Sequence, residues 1–134
     1  MIINLARGGH LKIQTKRVYD PRKKGDGVRV LVDRIWPQGM TKEQLQADLW
    51  LKDIAPGNDL RKWFAHDPSR WSEFKDRNFS ELEEKQQAVK QLRDLAANGK
   101  LTLLFSARDT TCNQALALKE YLIAKSGKAV LPKT

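Results

Sequence analysis

Apolar and polar positions alternate along "LKIQTKRVY" (residues 11–19). Leu11, Ile13 and Thr15 fall on one side, Lys12, Gln14 and Lys16 on the other. A period of two predicts a half-exposed β-strand. The next apolar stretch, 28–35, is different. Val30, Leu31 and Val32 run without a polar break, as in a strand covered on both faces. Between the two, "DPRKKGDG" (20–27) carries an Asp-Pro pair and two glycines, which read as a turn. It is too short for a helical crossover, which takes at least about 10–12 residues. The two strands are therefore expected to pair antiparallel or to be joined by an irregular loop.

Helical signals follow. Thr41 and Gln44 form a T-x-x-Q capping box at the start of a short helix. "LWLKDIAP" (49–56) reads either as a short strand or as an extended apolar loop. Gly57-Asn58 or Asp59 caps a second short helix over 60–65. Asp67-Pro68 then offers an N-cap and a proline at the first helical position. From there Trp71, Phe74, Phe79, Leu82, Val89, Leu92 and Leu95 recur at helical spacings. They predict one long amphipathic helix of about eight turns, ended by Asn98-Gly99. A break is expected near Asn78-Phe79-Ser80, where poor helix formers gather.

"KLTLLFSA" (100–107) is the second buried strand. Thr110 or Thr111 is expected to cap a last helix over 112–125, ended by Ser126-Gly127, with Ala115, Leu118 or the stem of Lys119, Leu122 and Ile123 facing inward. Residues 128–132 read as an edge strand, where Pro132 is tolerated. No internal repeat or low-complexity tract interrupts the pattern. The alternation of strands and helices predicts an α/β fold. The expected arrangement is a flexible leader (1–10) and a single compact domain (11–132), with a small mixed or mainly parallel sheet covered by helices.

Composition narrows the class. A chain of 134 residues suits one domain with an ordinary core. No apolar run approaches the ~20 residues of a membrane span, and "MIINLARGGHLK" does not read as a signal peptide. The single cysteine, Cys112, excludes an internal disulfide and a cysteine-based zinc cage. The expectation is a cytoplasmic protein with no membrane partner. Two isolated histidines, His10 and His66, predict no metal site, and no cofactor is expected.

Charge is unevenly placed. Of the net +9, residues 1–24 carry +6 and residues 125–134 carry +3, while 25–124 is neutral with 15 bases and 15 acids. Solvated basic ends or a nucleic-acid partner both fit this pattern. The long helix is rich in acids such as Glu81, Glu83 and Glu84, and no helix-turn-helix with a basic second helix is present.

Ligands of open α/β sheets bind beyond the carboxyl ends of the strands. That rule singles out two loops, Asp33–Gly39 and Ser106–Asn113. Asp33 is either a structural acceptor of backbone N–H groups or a general base. Arg34 and Arg108 bind an anion with their planar forks, or pair with Asp33 or Asp109. Trp36 before Pro37 is either a packed turn or a stacking platform. Thr111, Cys112 and Asn113 stand at an expected helix start, where free N–H groups favour an anion and lower a thiol pKa. Cys112 is thus a candidate nucleophile or a small packed residue. His66 is a candidate proton carrier or a cap of helix carbonyls. Trp50, Trp63, Phe64, Trp71 and Phe74 read mainly as core, with one or two at a pocket mouth.

Five ordered blocks, "KRVYD", "GVRVLVDRIWPQGMTKE", "WLKDIAP", "LRKWFAHDPSRWSEF" and "LTLLFSARDTTCNQALALKEYL", resemble the YeaO-like bacterial proteins, a family of unknown function. The resemblance spans about Leu11 to Leu122 and implies a compact α/β domain. A sister branch typically shows Asp-Val-Arg after its buried strand, then Cys-x-Glu at a strand end and Cys-His-Arg. Here Asp33 and Cys112 match, but Phe105 replaces the strand Cys, Ala107 or Arg108 stands near the Glu, and Asn113-Gln114 replace His-Arg. Gln38 replaces the Arg of the usual Trp-Pro-Arg-Gly. The departures from the sister branch undercut a thiol mechanism, and Gln38 weakens an anion-binding reading of the turn. Three functional readings remain: binding or processing of a small polar or anionic molecule, a nucleic-acid module using the basic ends, and a non-catalytic interaction or oligomerising protein.

Overall fold

Residues 11–130 are described by the computed structural model, with side chains to Lys125; the expected leader and the Leu131-Pro132 end of the expected edge strand lie outside them. In chain order the elements are β1 (Ile13–Arg17), β2 (Val28–Leu31), α1 (Lys42–Leu45), β3 (Leu49–Trp50), α2 (Asn58–Phe64), α3 (Trp71–Glu83), α4 (Gln86–Ala97), β4 (Leu101–Phe105) and α5 (Gln114–Val130). One four-stranded sheet forms in the order β1-β4-β2-β3, and every pairing is parallel.

β4 lies between two partners. Leu103 sits opposite Thr15 on one side and Val30 on the other. All five of its residues are buried, which accounts for its uninterrupted apolar sequence. β1 has β4 as a neighbour on one side and is only half-buried, hence its alternation. The main core lies on one face, where Ile13, Val30, Leu101, Leu103 and Phe105 meet Leu82, Val89, Leu92, Leu118 and Leu122 of the helices. The other face buries Leu31, Leu104, Val18 and Leu45 beneath the α1 segment. The α/β class and the parallel sheet are as the pattern indicated.

The antiparallel pairing of β1 with β2 is not formed, because β4 lies between them. The connection is the irregular alternative. Ten extended residues (18–27) can span roughly 33 Å, enough to return from one end of β1 to the other without a helix. Only the backbone contacts that β4 makes from far along the chain decide this.

The expected long helix is two helices. The break falls at Glu84-Lys85, and not at Asn78, which is buried inside α3. Poor propensity at 78–80 is a weak force against burial of Phe74, Asn78 and Leu82 on one face. At the break, Lys85 Nζ donates to the Ala55 carbonyl at 2.9 Å. Burial lowers the Lys85 pKa, with Glu81 opposing and Arg34 adding to the fall.

The last helix begins later and runs further than expected. Asn113 is its cap, with Oδ1 accepting from Leu116 N at 2.9 Å, so neither Thr110 nor Thr111 caps it. It passes through Ser126-Gly127 to Val130, so residues 128–130 are helical and not a strand. An internal glycine costs only about 1 kcal/mol, too little to stop a helix anchored along the core.

Candidate functional site

Both strands that read as buried, β2 and β4, end at the same edge of the sheet. Their exit loops line one concave cleft of about 690 Å³. The parallel register brings this about: Leu31 is level with Leu104, and Val32 N continues the ladder to Leu104 O at 3.1 Å. Asp33 and Ser106 therefore leave the sheet side by side.

Asp33 is 7% exposed. Its Oδ2 accepts from Ser106 N at 2.9 Å and from Ser106 Oγ at 2.7 Å, and its Oδ1 accepts from Gln114 Nε2. Trp50 Nε1 donates to the Asp33 carbonyl at 2.7 Å. The residue thus ties β2, β3, the β4 exit and the first turn of α5 together. Burial raises its carboxyl above the ordinary 3.8, against the pull of the Ser106 and Gln114 hydrogen bonds and of His66.

That shift has a signed consequence. With the folded value raised, the stabilising contribution is full below pH 3.8 and is lost as pH rises through the folded value. Asp33→Asn, always neutral, is expected to gain relative stability over the unsubstituted protein as pH rises above 3.8. Urea unfolding at several pH values measures it. A stability difference that stays flat over that range would rule the linkage out.

The cleft lining around Asp33 combines apolar and cationic side chains. Phe64 and Phe74 stack at 4.3 Å between ring centres and line the cleft together with Pro56 and Ile35, whose side chain is 63% exposed. Trp36 lines it too, held edge-on against Trp50 at 5.4 Å and donating from Nε1 to Met40 O at 2.7 Å. It is a packed turn residue that also presents a surface to the cleft. Gln38 and Tyr19 close one rim, with Tyr19 Oη donating to Gln38 O at 3.1 Å.

Among the cations, Arg34 donates to the Ala55 and Pro56 carbonyls at 3.2 and 3.4 Å, and Arg61 donates to Asn58 Oδ1 at 3.1 Å. Arg108 is exposed and makes no hydrogen bond or ion pair among the described residues. Neither Arg34 nor Arg108 pairs with Asp33 or Asp109. Asp109 is instead the centre of its own turn, accepting from Thr111 N, Thr111 Oγ1 and Cys112 N. The Thr111 bonds lead in holding its carboxyl below the ordinary range. His66 stands at the cleft mouth on a left-handed backbone that begins at Ala65 (φ 48° and 57° for Ala65 and His66), a conformation uncommon for residues other than glycine.

Of the sequence candidates, the fold brings Asp33, Arg34, Trp36, Ser106, Arg108, Asp109 and His66 to the cleft. It leaves Thr111, Cys112 and Asn113 out of the lining. Cys112 precedes the helix and packs with Leu60, Phe64, Phe74 and Ala117. Asn113 is 1% exposed and its amide donates to Asp109 O at 2.9 Å. Gln114 and Arg61 also line the cleft, and sequence reasoning missed both. Gln114 carried a usable signal, as the first helical residue after the second loop. Among the described residues no group of histidine, cysteine and carboxylate side chains could hold a metal ion, and no helix is long and apolar enough to cross a membrane.

A family profile described as the inactive DUF488-N3 subclade matches residues 12–130. The chain belongs to this family. It is 45% identical over 112 residues to YeaO of Escherichia coli (strain K12), a match covering 84% of this chain and 97% of that protein, which is itself described as uncharacterised. An uncharacterised protein of Mycobacterium tuberculosis is 37% identical over 111 residues, covering 83% of this chain and 93% of its own length. No solved structure matches. As a YeaO-like member of the DUF488-N3 family, the chain has uncharacterised relatives, and its chemistry must be argued from its own cleft.

Proposed function

We propose that the cleft binds a small polar or anionic molecule and performs no bond chemistry on it. The observation that carries this reading is Arg108, a cation at the cleft with its guanidinium uncommitted among the described residues, in a lining that also holds Arg34, Arg61 and the stacked Phe64 and Phe74. A planar fork of this kind suits a carboxylate or phosphate. The absence of chemistry is supported by how the candidate reactive groups are used. Cys112 packs away from the cleft lining, and both Asp33 oxygens already accept hydrogen bonds. The family description as an inactive subclade agrees.

The test is a thermal-shift screen with inorganic phosphate, nucleoside monophosphates and small dicarboxylates. A ligand present at 100 times its Kd is expected to add about 2.7 kcal/mol of stability. Arg108→Glu should abolish that gain while leaving the unliganded melting temperature unchanged. If no probe shifts the protein, or if Arg108→Glu responds as the unsubstituted chain does, the reading fails.

A further inference from the structure

The opposite end of the sheet gathers basic side chains. Lys12 and Lys100 immediately precede β1 and β4, and their carbonyls accept from Leu101 N at 2.9 Å and Val28 N at 3.0 Å. The two lysines are thus held side by side at the amino ends of the strands. The β1–β2 connection, with Arg22, Lys23 and Lys24, returns to the same edge before Gly27. A groove of about 450 Å³ lies between this connection and β1, lined by Gln14, Lys16, Lys23 and Lys100 with Asp20 and Asp26.

The two acids do not cancel this charge. Asp26 is buried, and its carboxylate is matched by Lys16 at 3.0 Å and Arg29 at 2.6 Å. That leaves exposed Asp20, with exposed Asp48 before β3 accepting from Arg29 N at 2.9 Å, against Lys12, Arg22, Lys23, Lys24 and Lys100, none of which forms an ion pair among the described residues. α5 runs toward the same end, where its last described cation, Lys125, is paired with Glu83 at 2.8 Å. It starts at the cleft, where Gln114 meets Asp33, and packs along β1 and β4. Its 17 residues carry the chain roughly 25 Å away from the cleft, toward the amino ends of the strands.

We propose that this amino-terminal edge binds the phosphate backbone of a nucleic acid without reading its sequence. Like-charged lysines around a groove gain most from a ligand with repeated phosphates, because each contact releases a condensed counterion. An acidic membrane surface fits less well. Membrane adhesion adds apolar insertion to charge, and among the described residues the large exposed apolar side chains, Tyr19, Ile35 and Trp50, follow the strands' carboxyl ends or lie in β3.

Fluorescence anisotropy of labelled DNA and RNA oligonucleotides with the full chain tests this. With about four phosphate contacts, affinity should fall roughly 100-fold between about 50 and about 200 mM salt. The triple variant Lys23→Glu, Lys24→Glu, Lys100→Glu should weaken binding at least about tenfold at the lower salt and reduce the log–log salt slope by about 2.7. Lys42→Glu in α1, a charge reversal outside the groove, should leave that slope unchanged, and circular dichroism checks that each variant folds. Absence of nucleic-acid binding, unchanged binding by a folded triple variant, or binding only to phosphatidylserine vesicles would each overturn the proposal. Loss of small-molecule binding by Arg108→Glu would not touch it, so the two ends are separable.

Discussion

Arg29→Ala is expected to destabilise the protein by about 3–5 kcal/mol, the usual cost of removing one member of a buried ion pair. Arg29 is 1% exposed in the middle of the sheet's second face. Its guanidinium meets Asp26 Oδ2 at 2.6 Å, the Leu45 carbonyl at 2.7 Å and the Gln46 carbonyl at 3.0 Å. One side chain thus neutralises a buried acid and satisfies the final carbonyls of α1. Alanine would leave both carbonyls without this donor and would open a cavity against Leu31 and Leu45. Against a typical total of about 5–15 kcal/mol, the urea midpoint should fall by a large fraction. A loss under about 1 kcal/mol would mean that Lys16 alone suffices for Asp26 and that water replaces the rest.

The same cluster sets an acid limit. Burial alone would raise the Asp26 carboxyl, but the Lys23 N–H, Lys16 and Arg29 outweigh it and hold the group well below its ordinary value of 3.8. A depressed folded value means that the stabilisation is present above pH 3.8 and is lost as pH falls through the folded value. Asp26 and Asp33 therefore slope in opposite directions near the carboxylate range.

Gly27→Ala is the second large effect, expected at about 2–6 kcal/mol from backbone strain and overpacking together. Gly27 has φ 66° and ψ −138°, a region that side chains oppose. An added Cβ would lie 2.2 Å from the Lys100 carbonyl oxygen. That carbonyl is the one Val28 N uses to enter the sheet, at 3.0 Å. Relief would have to separate β2 from β4 at their first rung. Gly25→Ala, with nothing within 4 Å of the new carbon, is the matched control and should change the melting temperature little. Equal melting temperatures for the two variants would show that the β2–β4 entry is more pliant than the packing indicates.

The candidate cleft was legible because its main parts are local. Asp33, Arg34 and Trp36 follow an apolar run directly, as do Ser106, Arg108 and Asp109, and parallel strands put their exits at one edge. Cys112 and Asn113 lay in the same stretch but turned away. Two more residues of turn, closed on Asp109, delayed the helix start to Gln114 and sent the thiol under Phe64 and Phe74. Arg61 comes from a helix whose position depends on packing across the cleft, and nothing near it in sequence marks it.

Alternation, uninterrupted apolar runs and caps are short-range properties. By them the sequence alone determined the α/β class, the T-x-x-Q helix start at Thr41 and both buried strands, while the family followed from the resemblance of five ordered blocks. The tertiary structure alone decided what rests on contacts between distant residues. It set β4 between β1 and β2, broke the long helix at Glu84-Lys85 and carried α5 through Gly127. It also placed Arg29 among apolar neighbours, where an arginine is acceptable only because Asp26 and two carbonyls meet it. The physical reason is the same in each case. Local propensities are worth tenths of a kcal/mol to about 1 kcal/mol per residue, and burial of a strand or a paired charge outweighs them.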